Sequence, residues 1–532
     1  MAACLQASQG LTARVDKLFA EWDKPDSPGC ALAIIQDSRV IYKRGYGQAD
    51  LDHEIPITPS SVFHVASVSK QFTAMAITLL ANQGLLSLDD EVRKHIREVP
   101  DFGSPLTIRH LIHHTSGLRD QWSLLVMAGW RLSQDVVREE DVLDLVSRQK
   151  ALNFAPGEEH LYSNTGYTLM AMIVKRVTGR SLREFAETNI FRPLGMNSTF
   201  FRDDHTVIVK NQAYAYNPAE GGGFRLSVPN YDTVGASSLL TTVEDLALWD
   251  QEFYEKRSSG AAVIAQMHTA GRLNSGEKLD YAFGLVTREY NGLKIVEHSG
   301  GDAGYRSHLM RFPEQRFSVA CLCNLGSISP SRLSRQIADI YLAGELKKED
   351  PKPAAAAVKL SEQELAAKAG LYRNPRTESL RRVALKDGKL SVQFGETGIE
   401  LTPLDANRFL TAGQPMVLTF APSRLSESFD GGKPEVFEAV EAVTPTSAEL
   451  REFAGAYYSD ELDATYRIEL DDGKLWLKRR KDRQRSLDPA YRDAFSGPPG
   501  SLRFVRDAEK RVTGFLLNSG RILNFHFARR GP

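Results

Sequence analysis

The sequence predicts an α+β domain over residues 1–346, a linker at 347–360, and two small antiparallel β-barrels at 361–446 and 447–532. Three observations predict it. Strand-like segments stand at both ends of the first 346 residues with helical segments between them, a charged Pro/Ala-rich stretch follows, and the remainder repeats itself.

In chain order, C-A-L-A-I-I-Q-D-S-R-V-I-Y-K-R-G-Y-G alternates about a turn at Asp37-Ser38, the pattern of a β-hairpin. Ser67 through Leu80 reads as a helix that ends before Gly84. Strand character returns in K-I-V-E-H-S-G around Val296 and in R-F-S-V-A-C-L-C around Val319. Strands so far apart in the chain imply one antiparallel sheet with a helical region beside it. The linker is K-K-E-D-P-K-P-A-A-A-A-V-K-L, Lys347 to Leu360. Beyond it, short alternating segments separated by Asp-Gly turns form an all-β pattern. There Ala369-Gly370-Leu371-Tyr372 matches Ala454-Gly455-Ala456-Tyr457, Arg382 to Leu385 matches Arg467 to Leu470, and Asp387 to Leu390 matches Asp472 to Leu475, all at one offset of 85 residues. Closing each copy into a barrel would remove its exposed strand edges.

At 532 residues the chain exceeds what one core supports, and 42% hydrophobic with 25% charged residues is ordinary for a soluble protein. A net charge of −1 provides no field to gather nucleic acid or an anionic membrane, so neither is expected as a partner. No apolar run approaches the roughly 18–20 residues of a membrane span, and Phe72 to Ala81 reads as a core helix segment. Of Cys4, Cys30, Cys321 and Cys323, the last two fall on one face of a strand. They read as buried strand residues; no zinc site and no disulfide framework is expected, and no metal or cofactor is called for. The first ten residues lack a basic region followed by an apolar one, so the chain reads as cytoplasmic as written, and as periplasmic or secreted if a leader has been removed. A homodimer is compatible with this composition.

Three motifs carry chemistry. In S-V-S-K the residues Ser67 and Lys70 are three apart, hence on one helical face, where hydroxyl and amine meet. Serine attacks only when a base takes its proton, and lysine becomes that base only with a depressed pKa. Moving it from about 10.4 to near 7 takes on the order of 4–5 kcal/mol, which apolar neighbours such as Val65 and Phe72 would supply. In Y-S-N, the Tyr162 phenol can shuttle a proton and the Asn164 amide can orient substrate and lysine. In H-S-G, His298 sits on a strand followed by Gly300 and Gly301, where backbone can approach a substrate closely and offer an oxyanion N–H. Each motif alone has a bland explanation: chance for S-x-x-K, a buried loop tyrosine for Y-S-N, a structural histidine for H-S-G. His110, His113 and His114 read as structural.

Together, and in this order, the motifs resemble the serine β-lactamase and penicillin-binding protein superfamily. So do T-I-R-H-L-I-H-H-T-S-G-L, P-L-G-M (Pro193 to Met196), G-A-S-S-L-L-T-T-V-E-D-L-A-L-W (Gly235 to Trp249) and Y-A-F-G-L (Tyr281 to Leu285). The resemblance implies a β-lactamase-like fold, Ser67 as acylated nucleophile, Lys70 as proton acceptor, Tyr162 as general acid/base, Asn164 as orienting amide, and an oxyanion hole from the N–H groups of Ser67 and Gly301. His298 stands where many members have the lysine of K-T-G, which removes a charge that faces a substrate carboxylate. The layout is similar to that of D-stereospecific aminopeptidases, which have an H-x-G strand and two C-terminal barrels; S-V-S-K-Q-F-T and S-G-L-R-D-Q-W (Ser116 to Trp122) fit as well. That likeness implies a small-molecule or short-peptide substrate and points to the basic segment 479–488 as a loop reaching the site. A carboxylesterase, a D,D-peptidase or β-lactamase, and a penicillin-binding sensor without turnover stay open.

Overall fold

The computed structural model describes residues 2–347, 358, 360–394, 397–412, 416–429, 433–479, 484–498 and 500–531. The expected linker at 347–360 therefore lies mostly outside the described residues. The chain forms two compact units, residues 1–122 with 130–348, and residues 123–129 with 349–532.

In the first unit, β1 (Cys30–Gln36), β2 (Arg39–Tyr46), β3 (Val286–Tyr290), β4 (Leu293–Asp302), β5 (Tyr305–Phe312) and β6 (Phe317–Cys323) make one antiparallel sheet. Its spatial order is β3-β4-β5-β6-β1-β2, so β1 and β6 join the two ends of the domain in register, Ala33 opposite Ala320. Asp37 and Ser38 both take positive φ, the geometry of a tight hairpin turn. Val15 and Phe19 of α1 (Ala2–Phe19) and Leu333 and Ile337 of the amphipathic α5 (Pro330–Tyr341) cover one face, against Ile34, Met310 and Phe317. The helical region holds α2 (Lys70–Asn82), α3 (Asn164–Thr178) and α4 (Val243–Glu255). α2 is buried on nearly every side, so its apolar positions carry no single stripe.

The cysteines depart from expectation in one respect. Cys321 and Cys323 do point to one buried face, but Cys323 lies opposite Cys30 in the β1–β6 register and is disulfide-bonded to it across 293 residues of sequence. Sequence spacing does not reveal a pairing that only the sheet creates.

A buried ion pair ties α4 to the sheet. Arg311 Nε lies 2.6 Å from Asp250 Oδ1, both side chains almost fully buried, and Ser318 Oγ donates to the same oxygen. The guanidinium also sits 3.8 Å over the Phe253 ring. Arg311→Met would leave the Asp250 charge buried without its cation, and is expected to destabilise this unit by about 3–5 kcal/mol, read from urea unfolding.

The second unit contains two closed eight-stranded barrels, from Gly370 to Val440 and from Gly455 to Arg529. The repeat is structural in detail. Each copy opens with a capping box, Ser361 with Glu364 and Thr446 with Glu449. In each, a tyrosine hydroxyl donates to a carbonyl four residues back, Tyr372 to Lys368 at 2.9 Å and Tyr457 to Phe453 at 2.8 Å. Both Asp-Gly turns, at Asp387 and Asp472, have positive φ at the two central residues.

Candidate active site

The S-V-S-K motif sits where a 3₁₀ turn, Ala66–Ser69, runs into α2. With three residues per turn, Ser67 and Lys70 stack one above the other. Lys70 Nζ lies 3.1 Å from Ser67 Oγ. The residue before the serine, Ala66, has a φ of +47°, a conformation that costs a non-glycine residue about 1 kcal/mol or more and turns the serine out of the regular backbone path. Ser69 Oγ holds this turn by donating to Ala66 O, and it accepts the N–H of Leu239 at 3.0 Å.

Lys70 is fully buried. Besides Ser67 it reaches Asn164 Oδ1 at 2.9 Å and the Ala236 carbonyl at 2.7 Å. Both of those oxygens can only accept. Two N–H bonds of the lysine are thereby committed, and the third tetrahedral position faces Ser67: an N–H when the amine is protonated, a lone pair when it is not. Asn164 opens α3, and Asp120 fixes its orientation, taking the Asn164 backbone N–H and its Nδ2–H, each at 2.8 Å. That leaves Oδ1 for the lysine.

Tyr162 lies just before α3, with its ring centroid 4.9 Å from Lys70 Nζ. His114 stacks on that ring at 4.1 Å and accepts the Ser163 N–H on Nδ1. A histidine expected to be merely structural thus supports the tyrosine directly. His298, on β4, is 6.3 Å from the Tyr162 ring, centroid to centroid. Its Nδ1 lies 2.7 Å from the Ser299 carbonyl, so Nδ1 carries the hydrogen; Nε2 then accepts from the Tyr281 hydroxyl at 3.1 Å. Burial pushes this imidazole down to about 3, and the nearby Lys70 charge acts in the same direction. His298 is therefore neutral at physiological pH and does not replace the charge of a K-T-G lysine.

This has a consequence for stability. An unfolded histidine protonates near 6.5, whereas folded His298 resists until about 3, so between those values only the unfolded chain takes up the proton and stability falls as pH falls. His298→Gln is expected to remove that acid sensitivity, about 1.3 kcal/mol over one pH unit inside this window, measured as urea midpoints at pH 5.5 and pH 4.5.

Among the described residues β3 pairs with β4 only as far as Glu297, so from His298 to Asp302 that edge of β4 has no strand partner. Gly300 packs on the turn before the nucleophile: a Cβ there would lie 2.4 Å from the Val65 carbonyl oxygen and 3.0 Å from the Ala66 Cβ. Gly301 is exposed, with no atom closer than 3.6 Å to where a Cβ would be. Gly284 has positive φ and a Cβ there would lie 2.6 Å from the Gln71 nitrogen, which explains the glycine of Y-A-F-G-L at the start of α2.

The seven expected residues, Ser67, Lys70, Tyr162, Asn164, His298, Gly300 and Gly301, all belong to the first unit; Lys70 joins Ser67 to Asn164 and lies near the Tyr162 ring, Gly300 packs on the turn before Ser67, and His298 and Gly301 stand beside Gly300 on β4. Of the segment 479–488, residues 480–483 lie outside the described residues. Sequence reading assigned no role to Asp120, Ala236 or Tyr281, although each stands within or next to a quoted landmark. The polar run Arg119-Asp120-Gln121 between Leu118 and Trp122 was the available signal.

The β-lactamase family profile matches residues 15–342. Penicillin-binding protein 4* of Bacillus subtilis is 33% identical over 321 residues, which is 57% of this chain and 69% of that protein. A D-aminopeptidase of Cereibacter sphaeroides is 27% identical over 448 residues, covering 84% of this chain and 82% of its own. An octameric penicillin-binding protein homologue from Pyrococcus abyssi superposes with a TM-score of 0.56 at 26% identity, covering 81% of this chain and 99% of that one. With a serine beside a buried lysine at the head of its core helix, and this match over most of its first unit, the chain belongs to the β-lactamase family and is a serine hydrolase of that superfamily.

Proposed function

We propose that the enzyme forms an acyl-enzyme at Ser67 and cleaves short D-amino-acid amides, peptides or esters. The observation that carries the reading is the Ser67 Oγ to Lys70 Nζ distance of 3.1 Å, with the lysine's other two bonds fixed on Asn164 and Ala236. In the neutral amine the lone pair faces the serine hydroxyl and takes its proton as the oxygen attacks the substrate carbonyl. Backbone N–H groups of Ser67 and Gly301 would stabilise the oxyanion, Gly301 lying on the open edge of β4. Tyr162 would carry the proton from Lys70 to the leaving amine, then accept one from the water that deacylates Ser67.

The neutral His298 favours a substrate without a carboxylate at that position. This argues against a β-lactam or a peptide ending in a free D-alanine carboxylate. The similarity to a D-aminopeptidase across 84% of the chain favours a D-aminoacyl substrate over a plain ester.

Two measurements test the reading. Incubation with a fluorophosphonate probe followed by peptide mass mapping is expected to place the adduct on Ser67. A panel of D- and L-alanine amides, p-nitrophenyl butyrate and a chromogenic cephalosporin is expected to rank D-alanine amide first. Turnover of the butyrate ester alone would make the enzyme a carboxylesterase.

A further inference from the structure

Beside the catalytic groups lies a second polar cluster that the mechanism above does not use. The two-residue period of β4 puts His298, Gly300 and Asp302 on the sheet face that meets the Ser67 turn. Asp302 is the last of the three and only partly buried. Its Oδ2 accepts from the hydroxyl of Tyr231 and, at 3.2 Å, from Ser237 Oγ. Ser237 follows Ala236, the residue whose carbonyl holds Lys70. Tyr231 is buried, and burial with the adjacent Asp302 charge keeps its phenol well above the usual range, hence neutral. Trp122, half-buried, lies with its ring 4.8 Å from that of Tyr231.

The carboxylate is thus oriented by neutral hydroxyls that occupy one oxygen; among the described residues none donates to Oδ1, and Arg306, whose guanidinium feels the Asp302 charge, donates to the Ala303 and Tyr305 carbonyls and makes no ion pair with it. A charge fixed in this way, one residue beyond the expected oxyanion donor Gly301 and held by a tyrosine that packs against Trp122, is matched by a small organic cation. His64 ties the cluster to the nucleophile: its Nδ1 is 3.3 Å from the Ala66 nitrogen, and its Nε2 is 3.4 Å from both the Tyr231 and Ser237 oxygens. The same scaffold that sets the Ala66 turn therefore positions Asp302.

We infer that Asp302 binds the free α-ammonium of the acyl residue, and so selects substrates whose acylating amino acid is N-terminal. The inference rests on the D-aminoacyl reading and adds the group that recognises the amine. It assigns that task to the strand that carries His298. A blocked amine would bring no charge to Asp302 and would strand the carboxylate against an apolar group.

The test is a ratio of kcat/KM values for two p-nitroanilides, that of D-alanine and that of isobutyric acid, in which a methyl stands where D-alanine carries its ammonium. A general loss of activity cancels in the ratio. The wild type is expected to favour D-alanine, and Asp302→Asn to lower that preference by about 30–100-fold, an amount typical of one charge-assisted contact. Asp302→Ser, smaller and still able to pair with Tyr231, serves if the asparagine variant does not fold. A preference that survives both substitutions overturns the role of Asp302 alone. A wild type that shows no preference for D-alanine overturns the D-aminoacyl reading and, with it, the need for this subsite.

Discussion

Ser67→Ala is expected to lower kcat/KM by about 10⁴–10⁶-fold on amide and ester substrates alike, and to abolish fluorophosphonate labelling. The size follows from the arrangement. Lys70 meets the Ser67 oxygen directly, Asn164 and Tyr162 lie around that lysine, and without the oxygen they have no atom to activate; what survives is binding and oxyanion stabilisation of a water-driven reaction. The fold should be nearly untouched, because Ser67 is only partly buried and its hydroxyl meets Lys70 rather than the core. An unfolding midpoint close to wild type would show that the loss is chemical. Ester turnover within about tenfold of wild type would remove Ser67 from the mechanism.

The Ser67–Lys70 contact was legible in the sequence because their relation is local. Three residues on one helical turn meet whatever surrounds them, and the 3₁₀ turn only tightens the fit. The barrels were legible for a similar reason: the Asp-Gly turns at Asp387 and Asp472 write their own backbone geometry, and the offset of 85 residues repeats it. What stayed hidden depends on contacts between distant segments. Asp120 matters because it meets Asn164 across 44 residues, and Cys30 because the sheet brings Cys323 opposite it. His298 shows a third limit. Its position on a strand was readable, but its neutral state depends on burial and on the Lys70 charge, which only the packed structure brings near it. The Asp302 cluster, gathered from His64, Tyr231 and Ser237, forms only in the fold, although Ser237 lies within a quoted landmark.

Lys70→Ala is expected to reduce the rate of Ser67 acylation by about 10³–10⁵-fold while changing substrate binding far less. The side chain touches the nucleophile, and its removal deletes the proton acceptor without reshaping the open edge of β4 where the substrate would lie. A simple contact would behave otherwise, weakening binding and acylation together. Stability should fall as well, because the Asn164 and Ala236 oxygens lose their donor in a buried site, at about 1–3 kcal/mol for each group left unpaired. Lys70→Met fills the space and isolates the chemical loss, so it should show the same acylation defect with the same unpaired oxygens but a smaller cavity penalty. The decisive measurement is the double variant. If lysine acts only through the serine, Ser67→Ala combined with Lys70→Ala is no slower than Ser67→Ala alone. A double variant slower by the product of the two single effects would give Lys70 a task independent of Ser67, such as holding the substrate itself.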